Sequence, residues 1–83
     1  KTNINDIDSN FIYQLNIKSF DYIHGDKNKI GIIANEYADK DFSKWFLHQT
    51  KDGYYGVDYQ NIVNALIKCV QELKEEIKQL KKR

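Results

Sequence analysis

Proline and methionine are absent from this chain, and cysteine, tryptophan and arginine each occur once. The single cysteine, Cys69, excludes an internal disulfide. With His24 and His48, which stand far apart, it makes no zinc-ligand set, so neither a metal nor a cofactor is implied. No apolar run approaches the roughly 18 residues that span a bilayer, and no signal-peptide pattern opens the chain, so no membrane partner is expected. A charge excess is missing too. Thirteen basic side chains face twelve acidic ones, a net +1 that offers no general field for nucleic acid. One arginine also leaves little with which to read base edges, so a DNA-binding helix has poor support.

Eighty-three residues suit one small domain. A chain this short buries a limited share of its surface and is marginally stable unless stapled. With disulfide and metal excluded, oligomerisation is the staple left. The chain opens at Lys1 without a methionine and reads as a piece of a longer polypeptide.

What is present divides into two parts. Ten of the eleven aromatic residues precede Asp58, which places the compact core in residues 1–57. There, Ile7, Phe11, Ile12 and Leu15 fit one face of a short helix that Asp8 or Ser9 can cap. Ile17 to Ile23 reads as extended, with Phe20 and Tyr22 alternating with Asp21 and a turn at His24-Gly25-Asp26. Ile30 to Ala34 reads as a buried strand returning as a hairpin, and Asn35 to Ala38 as one helical turn. A second hairpin is expected from Trp45-Phe46-Leu47 and Tyr54 to Val57, which flank the turn signal Asp52-Gly53.

Residues 58–83 change character. Asp58 is a natural N-cap, and nothing after it breaks a helix. Val63, Leu66, Val70, Leu73, Ile77 and Leu80 follow one another at alternating steps of three and four, an a/d seam. A helix of that length reaches roughly 38 Å and projects beyond so small a core. Glu75 and Lys78 form a favourable pair on the outer face, and Glu76 at g can meet Lys81 at e of a neighbouring chain. Lys78, Lys81, Lys82 and Arg83 set cations at the negative end of the helix dipole. The narrow apolar strip and charged flanks favour self-association over a helix folded back on its own domain. Six seam positions are too few to hold a multimer alone, and spacing does not settle dimer against trimer. The expected fold is therefore α+β, a small core of short helix and β-hairpins followed by a long C-terminal helix.

Four segments, in order, resemble the intramolecular chaperone domain with autoprocessing activity, found at the C-terminus of phage tailspikes, tail fibres and endosialidase-type proteins and in myelin-regulatory-factor-type proteins. Lys1-Thr2-Asn3-Ile4 is similar to the end of the family's opening motif Ser-Asp-x-x-x-Lys-x-Asn-Ile. Phe20-Asp21-Tyr22 resembles its aromatic strand, and Ile30-Gly31-Ile32-Ile33-Ala34-Asn35-Glu36 its Gly-Phe-Ile-Ala-Gln-Glu segment. Gly56-Val57-Asp58-Tyr59, then Ala65 to Lys68 and Gln71 to Leu73, resemble the entry to its final helix.

The resemblance implies a homotrimer whose helices form a trimeric coiled coil. It also implies a partner in the upstream fibre or spike domain of the same polypeptide, and release by a Ser–Lys dyad cutting just before the opening serine. On that reading Lys1 is the general base, and the serine nucleophile would stand five positions before it, so this chain by itself is expected to be inert. A viral parent would place the domain in the virion or in host cytoplasm during assembly, a cellular one inside the cell. The rival reading is a permanent oligomerisation or partner-binding module without proteolysis.

Other residues read more plainly. Ser9, Ser19 and Ser43 are expected as cap or turn residues, His24 as a turn residue and Glu36 as a hydrogen-bonding anchor. Cys69, at a g position, is expected as a small interface residue in a reducing interior. Trp45 and the tyrosines are packing residues, and Gly31 marks a close backbone approach.

Overall fold

A computed structural model describes residues 1–82. Arg83, the last of the expected basic cluster, lies outside the described residues. The first element is a 3-10 helix, Ser9–Gln14, capped by Asp8, whose carboxylate accepts from the Asn10 amide at 3.0 Å. β1 (Lys18–Phe20) pairs antiparallel with β2 (Lys29–Gly31), Ser19 opposite Ile30. A 3-10 turn at Ala34–Glu36 and a 3-10 helix at Asp41–Trp45 follow. β3 (Leu47–Gln49) then pairs antiparallel with β4 (Tyr55–Val57), His48 opposite Gly56. The chain ends in α1, Tyr59–Lys81. The fold is α+β: two small antiparallel hairpins and a C-terminal helix.

Local chemistry explains the turns. Gly53 adopts φ +85°, which the tip of the second hairpin requires and glycine reaches freely. In the first hairpin Asn28 takes the left-handed conformation at φ 60°, with its amide donating to Asp21 Oδ1 at 2.6 Å. Asp58 caps α1 by accepting from the Asn61 amide at 3.2 Å, as expected, and its own amide donates to the Phe46 carbonyl at 2.7 Å. The helix start is thereby tied to the second hairpin.

The core is aromatic and small. Phe11, Tyr37 and Phe46 are buried with Ile32, Ile62 and Ala65, and half-buried Phe42 completes the ring cluster. Phe11 and Phe46 stack at 5.6 Å between centroids, and Tyr37 meets Phe46 edge-on at 5.9 Å. The Tyr37 hydroxyl accepts from the Asn16 amide at 2.7 Å, which satisfies the one polar atom this ring brings inside.

Several expectations are corrected in detail. The first helix is 3-10, and Ile7 precedes it instead of lying on its face. The run from Ile30 to Ala34 is no buried strand throughout: Ile30 is 74 % exposed, Ile32 is buried, and the chain bends into the 3-10 turn by Ala34. Trp45 closes a 3-10 helix, because Ser43 and Lys40 carbonyls capture the Phe46 and Ser43 amides before the strand can begin. Glu75 takes no ion pair with Lys78; it accepts from Gln79 Nε2 at 3.0 Å one turn on, while Lys68 and Glu72 form the helix's ion pair at 3.7 Å.

Candidate functional site

Two faces of α1 behave differently. Ile62, Ala65 and Cys69 are buried and face the rest of the chain, with Ala65 1 % exposed. The small side chains at 65 and 69 let the 3-10 helix Ser9–Gln14 approach closely. Ser9 is itself buried: its hydroxyl donates to Glu72 Oε2 at 3.4 Å, and its carbonyl accepts from the Cys69 thiol at 3.3 Å. Cys69 is thus part of the chain's own interior and not an interface residue between chains, and Ser9 is a packed residue and not a cap.

The six seam residues do not dock. Val63, Leu66, Val70, Leu73, Ile77 and Leu80 are between 41 % and 63 % exposed, and Ile67 beside them is 52 % exposed. At 3.6 residues per turn the seam lies roughly a quarter-turn from the docked face. The helix therefore satisfies its own domain with one strip and leaves a longer apolar strip on its flank. Acidic residues Glu72, Glu75 and Glu76 border that strip on one side, and Lys74, Lys78, Lys81 and Lys82 lie toward the other.

Shape and surface agree. The radius of gyration is 16.0 Å, where a compact chain of this length has about 12 Å. The accessible surface is 7246 Å², against about 5,200 Å² expected of a folded monomer of this mass. Much of that excess is the projecting half of α1, in which every described residue from Leu73 onward is exposed.

Lys1 lies far down the other end of the chain order, exposed, in a stretch without regular structure that runs to Asp8. Ile4 is 84 % exposed, and Ile7 is the first residue packed against the core. No described contact brings Lys1 to the seam. The segments resembling the family's inner motifs occupy the first hairpin and its neighbourhood. Gly31 sits where a Cβ would collide with the Tyr59 hydroxyl, which accepts from the Ile32 amide at 3.3 Å, so the expected close approach is present and its visitor is the first residue of α1. Glu36 pairs with Lys18 at 3.0 Å, the anchoring role expected of it, in a setting exposed enough that the pair adds little stability. Spacing could not reveal Ser9 as a helix contact, since a serine near a helix start reads as a cap.

The class defined by these features is a small α+β module whose C-terminal helix leaves an apolar strip exposed on the chain's surface. A family model described as chaperone of endosialidase matches residues 1–42, which takes in the opening segment, the first hairpin and the turn at Ala34–Glu36. The chain belongs to that family. No curated protein and no solved structure matches it.

Proposed function

We propose that this chain is an intramolecular chaperone that joins three copies along the α1 seam and sets the register of the fibre or spike domain preceding it. The observation that carries this reading is the seam itself, six apolar residues on one flank of a helix that docks to its own core by a different face. The excess surface, about 2,000 Å² per chain, is of the size that stable interfaces bury. A six-position seam is too short to hold a multimer unaided, so this reading needs further contacts between the chains. Joining three helices raises the local concentration of the three chains to be registered.

The finer proposal is release by self-cleavage. A serine hydroxyl upstream attacks the carbonyl carbon of the bond before it, and Lys1 takes the hydroxyl proton and returns it to the leaving amine. The resulting ester is hydrolysed by water. A lysine does this only when neutral, which burial favours. Burial of Lys1 on assembly would gate cleavage by correct association. Cutting then traps the finished fibre kinetically. With a viral parent this takes place in the host cytoplasm during virion assembly.

The experiment extends the chain upstream by a few dozen natural residues and follows its size with time. Self-cleavage that disappears when the upstream serine becomes alanine, and that slows with dilution below the association threshold, supports both parts. A stable uncut trimer leaves the scaffold role and removes the proteolysis; a monomer that cuts as fast as the assembled form removes the gating.

A further inference from the structure

The two halves of α1 are supported unequally. The near half is held by the core: Ile62, Ala65 and Cys69 are buried, and the Ser9 hydroxyl reaches Glu72 at 3.4 Å. From Leu73 to Lys81 every residue of the helix is exposed, although Leu73, Ile77 and Leu80 are large and apolar. These are about two and a half turns with no buried side chain, so they open at little cost, as the end of an isolated helix does. Charge adds to the weakness. Glu72 and Glu76 stand one turn apart on one side of the apolar strip, and Lys74, Lys78 and Lys81 follow one another at steps of four and three on the other. Like charges at these spacings oppose helix formation in a single chain. Among the described residues, the one ion pair of α1 joins Lys68 to Glu72 in the near half, and Glu76, Lys74 and Lys81 have none.

A partner that relieves this stretch must carry an apolar strip of its own, with a basic border where α1 is acidic and an acidic one where α1 is basic. A second copy of α1 laid parallel to the first presents that arrangement, because its Lys74 and Lys81 side then comes against the Glu72 and Glu76 side. Laid antiparallel, the same two helices bring acid to acid and base to base, which repels. Charges that weaken the helix alone therefore match it to its own copy in one direction. We infer that α1 folds in two stages: the near half with its own core, and the far half, residues 73–81, with a second copy of the chain lying parallel to it. Order in the far half is then a readout of association. This deepens the association reading above and rests on it.

The test follows amide hydrogen exchange along α1 over a dilution series of the whole chain, with association measured by sedimentation. In the dilute chain, residues 77–81 should exchange within about tenfold of an unstructured peptide, while residues 65–72 stay protected. Protection at 77–81 should then rise in step with the associated fraction. Glu76→Lys separates the two stages. It turns the repulsion with Glu72 into an attraction one turn apart, so it should raise protection at 77–81 in the dilute chain by about two- to fivefold. It should weaken association by at least that factor, since two basic borders then meet, and adding Lys81→Glu should return association to within about twofold of wild type. Protection at 77–81 equal to that at 65–72 in the dilute chain overturns the proposal, as does a Glu76→Lys chain that associates as tightly as wild type. Association without a rise in protection at 77–81 overturns it and leaves the association reading standing. A wild-type chain that stays monomeric at every concentration removes both.

Discussion

The two apolar strips of α1 differ in side-chain size and in what they meet. The strip that docks, Ile62, Ala65 and Cys69, is short and contains two small residues; the strip left outside, Val63 to Leu80, is twice as populated and made of larger ones. Small residues win the intrachain contact because they let a 3-10 helix and the Phe11 ring come close, and close packing returns many weak contacts at once. Large residues on a convex flank cannot be covered by so small a core. Each is worth roughly 1.5–3 kcal/mol on full burial, and about half of that gain is left open in the single chain. The contrast teaches that a helix can divide its faces by residue size, with small side chains folding the chain and large ones left outside its core.

The sharpest way to break this comparison is to charge each strip in turn. Ala65→Glu puts a carboxylate with no partner into the docked face and should cost roughly 3–5 kcal/mol of stability in urea unfolding. Leu73→Glu should leave the aromatic core signal of each chain in place while weakening association at least about 100-fold in sedimentation, since several kcal/mol of seam burial are lost and each 1.4 kcal/mol is tenfold. If Leu73→Glu unfolded the core, or Ala65→Glu only dissociated the chains, the assignment of the two strips would have to be exchanged. A smaller effect should touch both strips equally. Asp58→Ala removes the carboxylate that caps the Asn61 amide and should destabilise the helix by about 1 kcal/mol, read as a lower thermal midpoint.

The part of this molecule legible in the sequence is the part governed by local periodicity and turn chemistry. The helix from Asp58, both hairpins and the seam follow from spacing, a capping residue and Asp52-Gly53. The docking of α1 was not legible, because Ala65 and Cys69 are weak apolar signals beside Leu66 and Val70, and their burial depends on a partner more than fifty residues away. Ser9 reads as a cap for the same reason: a long-range hydrogen bond leaves no mark on local pattern. The 3-10 character of residues 9–14 and 41–45 also escapes periodicity, since two turns of apolar spacing fit either helix. Family resemblance added what spacing cannot supply, the relation of the chain to a known chaperone domain, and the match over residues 1–42 bears out that family.

Tyr13 offers the finest probe, because it stands on the 3-10 helix beside Cys69 and Glu76 of α1. Its phenol is raised above the ordinary value of 10.0, first by loss of hydration against the helix, then by the charge of Cys69 and Glu76, a hydrogen bond with Cys69, and the charge of Glu72. A raised value means that the folded chain holds this proton more tightly than the unfolded one. The contribution to stability is complete below the unfolded value and is lost as pH climbs through the folded one, so docking of the 3-10 helix should weaken only in alkali. The difference in phenolate absorbance between wild type and Tyr13→Phe isolates this one tyrosine among six. Its midpoint should lie above that of the chain unfolded in urea, and Glu76→Gln should lower it part of the way. If the seam closes beside Tyr13, the midpoint should also rise with protein concentration, and Leu73→Glu should abolish that dependence while keeping the intrachain part. A midpoint indifferent to both Glu76 and concentration would place Tyr13 away from either strip.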